Sequence, residues 1–328
     1  MPSYDGIVKN IYYDGTSKII NLSTEIGRLL GIVDATYLRK PITKLRKANR
    51  IKSIQSSLWI EGNSLSEIQV SDIIDNKRVL GSAKDILEVK NAIDVYDKLA
   101  NFKFNSIASF QKAHKLLMKG LVTDPGNFRT KGVGVFKGEQ IAHLAPPAWN
   151  VKFLMQDLFE YLKKSQDNLI IKSCVFHYEM EFIHPFMDGN GRMGRLWQTV
   201  ILMKQNPVFE YLPIEHEIKL QQQEYYQALS LSDKAGICTV FVEFMLEKIR
   251  DSLQLLINGQ RKSLTQEDRI QYFIESNKGI DFARKDYLAV FKDISIATAT
   301  RDMKRGIELK LWSKVGDNRT TIYRIISD

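Results

Sequence analysis

The stretch IHPFMDGNGRMGRLW, residues 183–197, constrains this chain more than any other, because it sets a proline, three glycines and four ionisable side chains between two apolar runs. Upstream, Ile170, Cys174, His177, Glu181 and His184 recur at helical spacing beside Ile171, Val175, Tyr178 and Phe182, which predicts a mostly buried helix over about 169–183. Pro185 stops it. A residue before proline is pushed out of the α region, so His184 becomes a boundary residue at the mouth of the next segment. Downstream, Leu196, Val200 and Met203, with Trp197 and Ile201, predict a second apolar helix beginning near Gly191 or Arg192. Residues 184–191 are therefore a tight helix-to-helix loop whose glycines let main-chain N–H groups turn toward one point.

A helix start offers unpaired N–H groups and a partial positive charge, a ready seat for phosphate. Arg192 and Arg195, three apart, share one side of the first turn. Cations there are disfavoured by the helix dipole and call for a compensating anion, which a polyphosphate would supply. Asp188 is then explained by a divalent cation such as Mg2+ bridging phosphate oxygens. His184 has the pKa range of a general base. A plain helix-to-helix turn with solvated arginines is the bland alternative. A metal site on His177, Glu181 and His184, at i, i+4 and i+7, is a further one.

His184, Phe186, Asp188, Gly189, Asn190, Gly191, Arg192 and Arg195 match the H-x-F-x-[DE]-G-N-G-R-x-x-R signature of the Fic family position for position. The likeness extends to HYEMEFIHPF leading into the motif, to GNFR at 126–129, which resembles the family's entry to a hairpin, and to YYQAL at 225–229, which looks like its nucleotide-side helix. The resemblance implies a mainly α fold and an enzyme that moves AMP from ATP onto a protein hydroxyl, a protein adenylyltransferase. It implies His184, Asn190 and Arg192 as catalytic residues. His184 would take the target's proton, Asn190 and the glycine N–H groups would stabilise developing charge, and pyrophosphate would leave toward Arg192 and Arg195. The implied nucleotide-binding set is Asp188, Gly189, Asn190, Gly191, Arg192, Met193, Gly194, Arg195 and Tyr225, with Asp188 holding Mg2+ and Phe186 packing inward to fix the loop.

Residues 42–60 read as a helix with Leu45, Ala48, Ile51 and Leu58 among its apolar positions, and Gly62 is placed to cap it. Glu61 then faces the negative end of a helix dipole and needs a cation or open solvent. Ser57 and Glu61 match the [ST]-x-x-x-E-[GN] inhibitory motif of many Fic proteins, and the resemblance implies that Glu61 pairs with Arg195. An exposed glutamate beside an ordinary cap is the simpler reading of those residues alone.

At 328 residues and 44% hydrophobic content the chain is long for one domain and comfortable for two. No apolar run approaches the ~20 residues of a membrane span, and the polar start MPSYDGIVKN is no signal peptide, so a soluble, cytoplasmic protein without membrane association is expected. Cys174 and Cys238 lie in apolar stretches and read as buried free thiols of a reducing compartment. The first ~30 residues are weakly patterned, an arm with a short helix. Seven basic residues and no acid lie between Arg39 and Lys52, which reads as a solvated helix face, with an acidic partner surface or nucleic acid as the sharper alternative.

KGVGVFKGEQIAHLAPP at 131–147 alternates apolar and small residues about a Lys-Gly turn and reads as a β-hairpin. Its G-x-G lacks the third glycine and the βαβ context of a dinucleotide fingerprint, and the chain carries no P-loop signature. The family resemblance makes this hairpin a flap over the active site, with a target protein docking on it as an added strand.

The expected domains are 1–105, an N-terminal helical region with the inhibitory helix at about 42–61; 106–257, the catalytic core; 258–265, a linker; and 266–328. The last reads as helices 266–276, 284–292 and 295–306 and strands 310–315 and 320–326 around GDN, an order that resembles a winged helix-turn-helix. Ser295 would cap the third of these helices, whose Thr298, Arg301, Lys304 and Arg305 could enter a major groove. Residues 263–328 carry 12 Lys+Arg against 10 Asp+Glu, a net of 12 − 10 = +2, which is weak for DNA and leaves protein binding or homo-oligomer formation open. Two functional classes result. One is a self-restrained adenylyltransferase, with self-modification as a possible readout and transfer of another group or AMP removal as variants. The other is a DNA-binding regulator whose Fic core senses nucleotide.

Overall fold

The computed structural model describes residues 12–34, 43–137, 140–259, 264–277, 281–292, 294–316 and 321–326. Its helices are α1 Ser17–Asp34, α2 Thr43–Ile60, α3 Glu67–Ile74, α4 Ala83–Tyr96, α5 Ile107–Leu117, α6 Val151–Lys164, α7 Leu169–Ile183, α8 Asn190–Gln205, α9 Ile214–Leu220, α10 Gln222–Ala235, α11 Thr239–Gly259, α12 Gln266–Ser276, α13 Arg284–Val290 and α14 Ile296–Glu308. Two antiparallel strand pairs complete it: β1 Gly134–Lys137 with β2 Gln140–Leu144, and β3 Trp312–Val315 with β4 Ile322–Ile325. The fold is thus mainly α, as expected.

Local chemistry explains where six of the helices start. Ser66, Ser82, Ser106, Asn168, Thr265 and Ser295 each accept a first-turn N–H, and Ser66 and Thr265 complete capping boxes with Gln69 and Asp268. Ser295 is the cap the sequence predicts. The α2 end is a glycine stop: Gly62 has φ 89°, its N–H reaches the Trp59 carbonyl, and the Asn63 N–H reaches back to Leu58. The N-terminal arm holds more than the short helix expected, since α1 runs 18 residues.

The chain divides into two compact units, one comprising the described residues up to Leu29 with 48–253, the other 30–34, 43–47 and those from 254 on. In the first, Ile54 and Leu58 of α2, Val70 of α3 and Val89 of α4 share one buried cluster with Phe110, Phe176, Phe186 and Trp197, so helices on both sides of residue 105 enter a single core. Its centre is aromatic. Phe110 lies 5.4 Å from Phe186, 5.9 Å from Phe176 and 5.1 Å from Trp197, mixing stacked and edge-on pairs.

In the second unit α12, α13 and α14 surround Phe273, Tyr287 and Trp312, and a bridge from Phe282 to Tyr323 adds a third short pairing to the β3–β4 hairpin. β3 is shorter than the 310–315 expected, because Lys310 turns with φ 57° before Trp312 enters the pairing, and β4 covers 322–325 of the expected 320–326. Several expected features lie outside the described residues: the MPSYDGIVKN start, Arg39 and Lys40 of the basic run, Gly138 of the Lys-Gly turn, residues 260–263 of the linker, and Asp317 and Asn318 of GDN. No helix among the described residues is long and apolar enough to cross a membrane.

Candidate functional site

The loop between α7 and α8 is built from within. His184 ends α7 in the left-handed region, φ 50° and ψ 59°, the break its proline demands. Phe186 is fully buried in the aromatic core and pins the loop there. Asn190 then closes it: its amide donates to the Phe186 carbonyl and accepts the Phe186 N–H, both at 2.9 Å. The side chain expected to stabilise developing charge is therefore committed to loop shape. Gly189, with φ 82°, caps α8, which starts at Asn190, one residue earlier than expected.

From that start the Met193 N–H already bonds the Gly189 carbonyl at 3.0 Å, so the N–H groups of Asn190, Gly191 and Arg192 are the ones without an intrahelical acceptor. Met193 itself is wholly buried in the core, which removes its side chain from the expected nucleotide set. Gly194 serves packing: a Cβ there would stand 2.8 Å from His177 and 2.9 Å from the Glu181 carboxylate.

Both arginines find anions, and the anions are carboxylates of this chain. Arg195, 2% exposed, donates through Nη2 to Glu61 Oε1 at 2.7 Å and to the Ser57 carbonyl at 2.9 Å, and through Nε to the Ser57 hydroxyl at 3.1 Å. Burial alone would lower the Arg195 guanidinium; the charges of Glu61, Tyr225 and Glu181 reverse that and hold it above the usual range. The same contacts cap α2, because Ser57 supplies one of its last carbonyls. The Glu61 carboxylate also lies against Gly191, where any Cβ would overlap Oε1. An acid thus rests on the first turn of α8, where the dipole and the N–H groups favour negative charge.

Arg192, on the other flank, bonds Asp188 Oδ1 and Glu88 Oε1, each at 3.1 Å. Asp188 also accepts the Gly189 N–H at 2.6 Å and is 52% exposed, a carboxylate open to a cation.

Three further residues support the loop, and two of them, Glu88 and His114, lie outside the sequence motifs. Glu88 is one; its signal was an acid on the stripe of α4 that also carries Asn91, Ala92 and Val95, all buried. His114 is the second. It stacks on Phe186 with centroids 3.6 Å apart, accepts the Gly126 N–H on Nδ1 at 2.8 Å, and so donates from Nε2 to the Asp188 carbonyl at 3.0 Å. Burial pushes it down to about 4, which keeps the ring neutral. Arg129 is the third: it donates to the carbonyls of His184 and Lys131 at 2.7 and 2.9 Å and to Pro146, tying both ends of the β1–β2 hairpin to the loop.

Tyr225, expected in the nucleotide set, lies within electrostatic reach of Arg195 and Glu61 but is enclosed. It is 1% exposed and bonds His177 Nε2 at 3.1 Å, while its neighbour Tyr226 is 46% exposed and lies within electrostatic reach of Glu61. His177 gives its other nitrogen to Gln198 at 2.8 Å, so both ring nitrogens are engaged and the metal alternative has no geometry behind it. Among the described residues no cluster of His, Cys, Asp and Glu is set to hold a metal.

Fold and site together define a helical protein with an anion seat at a glycine-rich helix start, closed by an acid from its own upstream helix. Residues 104–202 match the Fic/DOC family. A Fic family protein from Desulfovibrio desulfuricans G20 of known structure is 37% identical, with 97% of this chain and 98% of that one aligned at a TM-score of 0.74. The chain belongs to the Fic/DOC family. Fic-1 from C. elegans shares the fold at 21% identity and a TM-score of 0.61, over 75% of this chain and 73% of that one. Proteins called protein adenylyltransferase Fic are 25% identical over 228 residues in Drosophila mojavensis and in Drosophila melanogaster, in each case over 66% of this chain. The chain spans only 43% and 44% of the length of those two relatives.

Proposed function

We propose that the protein is an adenylyltransferase that transfers AMP from ATP to a hydroxyl side chain of a target protein and is held back by Glu61. The observation that carries this reading is the Glu61 carboxylate on Arg195, 2.7 Å from its Nη2 and against Gly191 at the start of α8. A carboxylate bound there marks a site for anionic oxygen, and the relatives named adenylyltransferases supply the reaction class.

In this reading the N–H groups of the first α8 turn and Arg195 bind phosphate once Glu61 leaves. His184 takes the proton of the target hydroxyl. The hydroxyl oxygen bonds to the α-phosphorus of ATP as the bond to pyrophosphate breaks, and pyrophosphate departs toward Arg192 and Arg195. Asp188 would hold Mg2+, which when bound draws charge from the phosphate oxygens. Asn190 acts through the loop, keeping Phe186 and the α8 start in register. The β1–β2 hairpin is the docking edge for the target, and the chain's own hydroxyls are a second acceptor. The reading sets the protein in the cytoplasm, where Cys174 and Cys238 stay reduced.

The test is labelling with α-labelled and γ-labelled ATP in parallel, for wild type, Glu61→Gly and Arg195→Ala, with and without lysate. Covalent α-label, with none from γ, is expected. Glu61→Gly should raise it at least about tenfold, equivalent to ~1.4 kcal/mol of barrier. Arg195→Ala breaks the same pair but should stay inactive, since its phosphate ligand is gone. Glu61→Gly at the wild-type level with a target present ends the restraint; covalent γ-label ends the AMP reading.

A further inference from the structure

We propose that Glu88 is a positioning residue for nucleotide binding, fixing the Arg192 guanidinium beside the start of α8 and joining it to the chain segment that carries Glu61. The inference rests on Arg192 being a phosphate ligand in the proposed reaction.

Glu88 is 6% exposed and Arg192 5%, so each is a buried charge that needs a partner. They meet at 3.1 Å through Oε1 and Nη1. The other Glu88 oxygen accepts Asn63 Nδ2 at 2.8 Å. Asn63 is itself fixed: its Oδ1 accepts the Leu65 N–H at 3.1 Å, its Nδ2 also reaches the Asp85 carbonyl, and its N–H closes the glycine stop of α2 on Leu58. Residues 61–63 are therefore linked to both motif arginines. Glu61 binds Arg195 directly, and Asn63 reaches Arg192 through Glu88.

The way Arg192 is held shows what Glu88 does. A guanidinium free to choose would take a carboxylate with two parallel bonds. Arg192 instead places Nη1 on Glu88 and Nη2 on Asp188, and its Nε, buried, has no acceptor among the described residues. That is an end-on grip that stabilises the pair less than a two-bond contact and sets where the group points. Without the Glu88 charge, the long arginine stem would be free to fold onto Asp188 and leave the phosphate side. Ligands bearing β- and γ-phosphates should then suffer, and AMP should not.

The experiment uses the full chain in the Glu61→Gly background and titrates α,β-methylene ATP and AMP calorimetrically into the parent, Glu88→Gln, Arg192→Gln and the double variant, with melting curves for each. Glu88→Gln should weaken the triphosphate at least about tenfold and leave AMP within about twofold. The double variant should be no worse than Arg192→Gln alone. A folded Glu88→Gln protein with both affinities unchanged, or both lowered equally, overturns the proposal, as does full additivity in the double variant. If Glu88→Gln does not fold, Glu88→Asp keeps the charge at shorter reach and should show a smaller loss of triphosphate preference; an unchanged preference overturns it equally. A parent that binds neither nucleotide brings down the reading of the site, and this inference with it.

Discussion

Arg195 shows how much one side chain can hold: a helix end, a hydroxyl and an acid, all through two nitrogens of a buried guanidinium. In the proposed reaction the same guanidinium would give up that carboxylate for a phosphate, which its planar donors suit equally. His184 is different in kind. It packs at the loop's edge, part-exposed, with Nδ1 3.3 Å from the Glu181 carbonyl, and that contact favours Nδ1–H and an acceptor at Nε2. His184→Ala, in the Glu61→Gly background, should lower AMP transfer by about 10²–10⁴-fold while ATP affinity stays within a few-fold, because in the proposed reaction the base acts on the target hydroxyl. Rates from α-label incorporation and affinities from calorimetry check it; full transfer in that variant removes the general base.

The helix that carries Glu61 has an unusual seat. Beside Ile54 and Leu58, which enter the apolar core, α2 buries Asn49, Gln55, Ser56 and Ser57, and these polar residues are held by hydrogen bonds: Asn49 to the Tyr211 carbonyl, Gln55 to the Leu65 carbonyl and from Lys219, Ser56 with His216. Glu215 of α9 belongs to the same layer. It is 2% exposed, accepts the Tyr96 hydroxyl at 2.8 Å, and its Oε2 has no partner among the described residues. Burial raises its carboxyl above the usual range, so the folded protein holds that proton to higher pH than the unfolded chain does. That stability is present at low pH and is lost as pH rises from about 4.5 through the folded value, because the unfolded chain has then already released the proton. Glu215→Gln should therefore be more stable than wild type at pH 8, with the difference shrinking toward pH 5, measured by urea unfolding. Equal destabilisation at both pH values would mean an ionised, paired Glu215.

Among the described residues, two of the buried clusters, one in each unit, share no residue. In the second, Trp312 is 1% exposed, donates to the Met303 carbonyl at 3.0 Å and lies so close over Gly306 that any Cβ there would overlap the indole. Gly306→Ala should cost that unit about 1–3 kcal/mol through overpacking. Proteolysis within 254–326 should quicken while α-label transfer by the Glu61→Gly background stays unchanged; a parallel loss of transfer would show that the second unit supports the site. The charge of α14 is partly spent within the unit, since Arg305 reaches Glu267 and Glu308 at 3.4 Å and Arg301 bonds Thr298 at 3.2 Å. Arg301 and Lys304 stay exposed on the same helix.

Helix periods, Pro185, the serine caps and Gly62 act through neighbours a few residues away, so α7, α8, the end of α2 and the Ser295 start of α14 were legible in the sequence. The motif spacing likewise put His184, Asp188, Arg192 and Arg195 in one loop and one turn. Which partner each charge would take is a different matter. Glu88 lies 104 residues before Arg192, and no local rule pairs groups so far apart; the Glu61–Arg195 pair, 134 residues apart, was expected only through the family motif. Nor could spacing tell that Tyr225 would be buried on His177, that Met193 would enter the core, or that the Asn190 amide would be used up inside its own loop. Those outcomes depend on which faces pack together. Local sequence determined the elements and the chemistry they carry; burial, which leaves each buried charge or amide only the partners within its reach, decided what those groups hold.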